Sequence, residues 1–164
     1  MFFGGIAFYG KRTDLYVLDG DPEARRGGVT GRRILECLQE ELPKILEPGM
    51  IYAQDNAPTH TARIVQNWLQ PWLQENGIIM VIWPPYSPDL NPIENLWKLL
   101  KEKIHQRYPE LATMASNSHS LDLLIKAAQE VWDEFTDELI DRLIESMERR
   151  LQAVIDARGW YTKY

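Results

Sequence analysis

Three things are scarce in this sequence. Cysteine occurs once in 164 residues, at Cys37, so no disulfide can close within the chain and a reducing compartment suits it. Long apolar runs are missing too, and none approaches the roughly 20 residues of a membrane-spanning helix. Residues 1–9 are apolar but have no preceding positive region and no small-residue cleavage site, so they read as a strand rather than a signal peptide. Positive charge is the third shortage. Lys and Arg number 18 against 24 Asp and Glu, giving a net charge of −6 and a pI near 5.1. Tight non-specific binding to DNA by this chain alone is disfavoured, since it needs a basic surface; a local basic groove around an acidic site is still allowed. What is present, 45% hydrophobic and 26% charged residues, is the composition of an ordinary globular protein. The length suffices for one domain, residues 1–164, with a substantial core, and there is no internal repeat.

Apolar periodicity predicts an α/β order followed by a helical C-terminal third. Residues 2–8 and 15–18 read as two strands joined by a turn around Gly10-Lys11-Arg12. Residues 20–28, rich in Gly, Pro and charge, form a loop. Thr30 can cap a helix whose face carries Ile34, Leu38, Leu42 and Ile45, with Pro43 kinking or ending it early. Residues 50–54 are a short strand. A second helix starts at Thr59 or Thr61 and presents Val65, Trp68, Leu69 and Trp72 on one face. Residues 78–82, a continuous apolar run, predict a strand covered on both faces. Strand, helix and strand with short links predict a parallel pair. Three further stripes follow: Ile93, Leu96, Trp97, Leu100 and Ile104; Leu121, Leu124, Ile125, Ala128, Val131 and Trp132; Leu139, Leu143, Ile144, Met147 and Leu151. Between the first two, the polar residues 110–120 predict a mobile loop.

Two carboxylates fall where an open α/β sheet gathers its ligands, beyond the carboxyl ends of parallel strands. Asp55 follows the first parallel strand, and Glu94 lies in the first helical turn beyond the second. Hard oxygen donors with room for water and phosphate suit Mg²⁺ or Mn²⁺ acting on phosphodiesters. Simpler readings compete. Asn91-Pro92-Ile93-Glu94 is close to a capping box, and spacing alone favours that role for Glu94. Asp55-Asn56 in isolation is more often an Asx turn than a ligand. Asp89 reads as a turn residue and as the reserve candidate for the second ligand. His60 fits a polar helix start better than a metal ligand. Trp68, Trp83 and Trp97 fit a core better than base stacking, and Cys37 fits inert packing.

Two segments decide among these. Residues 54–62 read QDNAPTHTA and residues 83–97 read WPPYSPDLNPIENLW. Together they resemble the catalytic domain of the DDE transposases of the Tc/mariner superfamily, especially the fungal group, in which such motifs carry the second and third catalytic carboxylates. The resemblance covers nearly the whole chain. MFFGGIAFYG at the start looks like the family's strand after the first catalytic Asp, with Phe3 where Trp is usual. SMERRLQAVIDARGWYTKY, residues 146–164, is similar to the family's C-terminus.

The resemblance implies an RNase H-like mixed sheet flanked by helices, and divalent-metal-dependent DNA strand cleavage and strand transfer. It assigns Asp55 and Glu94 as catalytic metal ligands for Mg²⁺ or Mn²⁺. Its partners are transposon ends, target DNA and a further transposase subunit, with no membrane and no small-molecule cofactor, in the nucleus. The first catalytic Asp belongs on a central strand ahead of Met1, and Asp14 and Asp19 are poor substitutes for it. The expectation is therefore a catalytic domain lacking its first strand, weakly active or inactive as this chain. The competing reading is a non-catalytic, transposon-derived module that binds DNA or a transposase subunit.

Overall fold

The computed structural model describes residues 1–25, 27–160 and 162–164. Its contacts divide them into two units that alternate along the chain. The first comprises Met1–Gly5 and Tyr16–Pro88, the second Ile6–Leu15 and Asp89–Tyr164.

The first unit holds four short strands and two helices: β1 (Phe2–Phe3), β2 (Tyr16–Val17), α1 (Gly31–Ile45), β3 (Ile51–Tyr52), α2 (Arg63–Glu75) and β4 (Ile79–Met80). β1 pairs with β2 antiparallel, Phe2 opposite Val17. β3 pairs with β4 parallel, Ile51 opposite Ile79 and Tyr52 opposite Met80, as the strand–helix–strand order requires. No ladder joins the two pairs among the described residues. The ladders are shorter than the apolar runs suggest, and the run at 78–82 is not covered on both faces. Ile78 is buried and Met80 packs against the core, whereas Ile79 is 63% and Ile82 96% exposed. For Ile79 the reason is the alternation of strand side chains, and Ile82 lies beyond the end of β4. Helices α1 and α2 cover the face that carries Tyr52, Ile78 and Met80, and the Ile51–Ile79 pair points the other way, exposed.

α1 forms as its spacing predicts, burying Ile34, Leu38, Leu42 and Ile45 together with Cys37. Each such side chain contributes about 1.5–3 kcal/mol on leaving water. Pro43 lies inside the helix, which ends two residues later at Ile45. Thr30 occupies the N-cap but its side chain makes no cap bond. The hydroxyl donates instead to Asp21 Oδ2 at 2.6 Å, and Arg32 donates to the same carboxylate, Nε to Oδ2 at 3.2 Å and Nη2 to Oδ1 at 2.7 Å. The 20–28 loop is thereby tied to the start of α1. α2 starts at Arg63, later than the threonines suggested, and buries Val65, Leu69 and Leu73. Trp68 and Trp72 stack with centroids 5.3 Å apart and pack partly buried on this core.

The second unit begins with a tight turn. Ala7 N–H donates to Lys11 O at 2.8 Å, and Ile6 bridges Arg12. Gly10 adopts φ +65°, and a Cβ there would collide with Asp137, so only glycine suits the position. Four helices follow: α3 (Ile93–Arg107), α4 (Ser118–Asp133), α5 (Asp137–Glu145) and α6 (Met147–Asp156). Trp132 is fully buried. It stacks on Trp97 at 5.4 Å, meets Phe135 edge-on and donates its indole N–H to Thr13 O at 2.9 Å. Arg12 closes the C-terminal end of α4, donating to Asp133 O at 2.8 Å and Phe135 O at 2.7 Å.

Two helical expectations change here. The segment read as a loop over 110–120 contains a 3₁₀ turn, Pro109–Ala112, and the first residues of α4. Asn117 and Ser120 form a reciprocal capping box there, a polar signal that looked like loop composition. The third stripe is not one helix. The chain breaks at Ser146, whose hydroxyl donates to Leu143 O at 2.5 Å. Beyond it Leu151 is exposed and Arg150 is buried. Among the described residues, no helix is long and apolar enough to cross a membrane.

Candidate functional site

Asp55 stands three residues beyond the end of β3, at the carboxyl end of a parallel ladder. It is exposed. Its Oδ1 accepts the Ala57 N–H at 3.0 Å, so the Asx-turn reading is correct as local structure. The same oxygen lies 2.6 Å from His60 Nδ1. Both contacts fall on Oδ1. His60 is fixed in turn: its N–H donates to Ala57 O at 2.8 Å and its carbonyl accepts from Gln66 Nε2 at 2.8 Å.

The neighbours of Asp55 have structural duties. Gln54 Oε1 accepts the Tyr52 hydroxyl at 2.9 Å. Burial raises the Tyr52 phenol well above its usual range, with the Cys37 and Asp55 charges adding to it. Asn56 Nδ2 donates to Trp83 O at 2.7 Å, joining the loop after β3 to the first residue of the second motif. Trp83 itself is buried, in keeping with a core role. Cys37 is fully buried and its thiol is pushed up to about 12, chiefly by that burial.

Glu94 lies in the first turn of α3 and is exposed. Asn91 shapes that turn, its Oδ1 accepting the Ile93 N–H at 3.4 Å while its carbonyl accepts the Glu94 N–H at 3.2 Å. Asp89, the reserve ligand, is committed elsewhere: Oδ2 accepts the Thr162 hydroxyl at 2.8 Å and the Thr162 N–H at 3.2 Å. Next to Glu94, Asn95 Oδ1 accepts from the buried Arg150 at 2.6 Å. Sequence reasoning missed Arg150, Thr162 and the Asn56–Trp83 tie. Asp55 belongs to the first unit and Glu94 to the second. No group of three or more His, Cys, Asp or Glu placed to hold a metal occurs among the described residues.

Each carboxylate, taken by itself, is an exposed oxygen donor of the kind a hard divalent ion takes, and Asp55 is oriented by the bonds to its Oδ1. The model describing DDE superfamily endonucleases matches residues 24–115, more than half the chain and inclusive of both carboxylates. The chain belongs to the DDE superfamily endonucleases. Among its relatives, the Tc1 transposase of Caenorhabditis elegans is 39% identical over 116 residues, covering 71% of this chain and 38% of that protein. The Tcb2 transposase of Caenorhabditis briggsae is 32% identical over 150 residues, covering 88% of this chain and 50% of that one. This DDE chain therefore spans half or less of those relatives' length. Among solved structures, the Mos1 transposase catalytic domain, described with raltegravir and Mn, is similar with a TM-score of 0.60 at 21% identity. The match covers 99% of this chain and 83% of that one. The likeness establishes the RNase H-like fold.

Proposed function

We propose that this chain forms the C-terminal part of the catalytic domain of a Tc/mariner transposase, of the fungal group, and serves Mg²⁺- or Mn²⁺-dependent cleavage and strand transfer of DNA in the nucleus. The observation that carries the proposal is the built turn at Asp55, whose carboxylate is oriented by Ala57 and His60 at the end of a parallel strand. Glu94 at the head of α3 is its partner ligand. The Mos1 catalytic domain has been solved with Mn and with Mg, and Mos1 also as a paired-end complex with a transposon end. Those structures support divalent-metal use, DNA and a second transposase subunit as partners here. Membership of the fungal group rests on the two motifs.

Bound divalent ions supply activation of a water or 3′-hydroxyl and stabilisation of the leaving oxygen. The chain's own contribution is positional. The Asx turn and His60 hold one Asp55 oxygen, Asn56 anchors the loop to Trp83, and the first turn of α3 presents Glu94. We assign the third carboxylate to a strand outside these residues. This chain alone is then a weak or inactive nuclease, since a lost ligand misplaces the reacting groups.

The test is a plasmid-nicking assay at fixed salt, with and without Mg²⁺, on this chain and on a version preceded by an Asp-bearing strand. Metal-dependent nicking gained with the strand, and lost again in Asp55→Ala and Glu94→Ala, is the expected result. Equal nicking by both would show that a residue present here completes the site. The alternative reading is a non-catalytic module that binds DNA or a transposase subunit. DNA retention without metal-dependent nicking in either version would support it.

A further inference from the structure

We infer that Arg150, with the C-terminal Thr162 and Tyr164, positions the turn that carries Glu94. The inference rests on Glu94 being a metal ligand, and it lies wholly within the second unit.

Arg150 is only 2% exposed. Its guanidinium serves three separate acceptors: Ser146 Oγ at 2.7 Å through Nε, Asp89 O at 2.7 Å through Nη1 and Asn95 Oδ1 at 2.6 Å through Nη2. Tyr164 lies against it, ring centroid 4.8 Å from Cζ. Asp89 and Asn95 bracket the turn, one ahead of it and one immediately after Glu94. A single side chain thus grips both ends. From the other side, Thr162 binds the Asp89 carboxylate through hydroxyl and N–H at 2.8 and 3.2 Å.

Two physical points separate positioning from packing. Burying a guanidinium is costly, and an apolar side chain of similar volume fills such a space more cheaply. Stability is therefore a poor account of why a cation stands here, whereas a planar fork that fixes two acceptors in one geometry is a good one. The turn is also weakly held by its own backbone. The Glu94 and Asn95 N–H bonds to Asn91 O and Pro92 O are both 3.2 Å, at the long end for amide bonds, and the first turn of any helix lacks a full set of internal partners. Outside support decides where the Glu94 backbone sits.

The experiment uses the full chain and two variants, Thr162→Val, which removes one hydroxyl at the surface, and Arg150→Lys, which keeps the charge and loses the fork. Amide hydrogen exchange of residues 89–96, Mn²⁺ affinity by electron paramagnetic resonance and thermal midpoint are measured together. Losing one such bond should speed exchange in 89–96 by roughly three- to tenfold and weaken Mn²⁺ binding by a similar factor in Thr162→Val, and by more in Arg150→Lys. Exchange in α4 and α5 should stay unchanged. Faster exchange spread evenly over the whole unit would reduce Arg150 to a packing residue and overturn the inference, as would local exchange changes with unaltered Mn²⁺ affinity. Glu94→Gln separates the two levels. If it leaves Mn²⁺ binding intact, the ligand assignment of Glu94 fails, whereas the exchange measurements still report whether the clamp exists.

Discussion

His60 Nδ1 lies 2.6 Å from Asp55 Oδ1, and the Ala57 N–H meets the same oxygen. The histidine that sequence reading assigned to a polar helix start is thus the side chain that orients the acid. An asparagine at position 60 can place an amide N–H close to where Nδ1 stands; alanine cannot. His60→Asn should keep Mn²⁺ affinity within about threefold of the unaltered chain, and His60→Ala should weaken it by roughly three- to tenfold, the worth of one hydrogen bond. Paramagnetic resonance titration of free Mn²⁺ reads both. Equal affinity in all three would mean that Asp55 needs no such support.

Divalent binding by this chain should be weak, because Mg²⁺ dehydrates reluctantly and two carboxylates leave most of its shell to water. Asp55→Ala and Glu94→Ala should each abolish the heat of binding that remains in calorimetry. Tight binding untouched by either substitution would put the metal elsewhere.

Asp21 sets an acid limit on the first unit. Its carboxyl is lowered from 3.8 to about 2 by the Thr30 hydroxyl first and Arg32 next. A folded pKa below the unfolded one stabilises the fold above the unfolded value, and that contribution disappears as pH falls through the folded value. The loss should therefore run from near 4 down to near 2. In Asp21→Asn, urea-unfolding free energy should be lower at neutral pH, and the gap from the unaltered chain should close across that window. A gap that stays constant down to pH 2 would mean the Asp21 charge contributes nothing.

Cys37 should resist labelling. It is fully buried and its thiol is pushed up to about 12 by that burial, whereas attack on a disulfide reagent needs thiolate. Reaction with a chromogenic disulfide should follow global unfolding and rise with urea along the unfolding curve. Rapid reaction without urea would reveal local opening of α1.

Periodicity located α1, α2 and α3 because their burial is local: Leu38 and Leu42, or Leu96 and Leu100, face one way through the helical repeat alone. The parallel pairing of β3 with β4 followed from element order. What stayed hidden depends on distant partners. Asn56 reaches Trp83 and Arg150 reaches Asp89 and Asn95, across 27, 61 and 55 positions, separations that leave no local pattern. The exposure of Ile79 and Ile82 was hidden as well. An apolar run states what could be buried, and the number of layers built over it decides what is. The break at Ser146, whose hydroxyl bonds Leu143 O, is likewise something composition does not show.

The turn at Ile6–Leu15 belongs to the second unit, although the chain on both sides of it belongs to the first. Its bonds run to the far end of the sequence: Thr13 to Trp132 over 119 positions, Arg12 to Phe135 over 123 and Gly10 to Asp141 over 131. An early-synthesised piece therefore waits for the last third of the chain before it can settle, and loop closure of that span slows folding. Splitting the gene at Pro88 should leave the second unit without a segment it needs. The residues after it would lack the Arg12 that closes α4 and the carbonyl that receives Trp132. Refolding of the second unit should be rate-limited by capture of this turn, and a synthetic peptide of residues 6–15 added to the C-terminal half should restore it in proportion to peptide concentration.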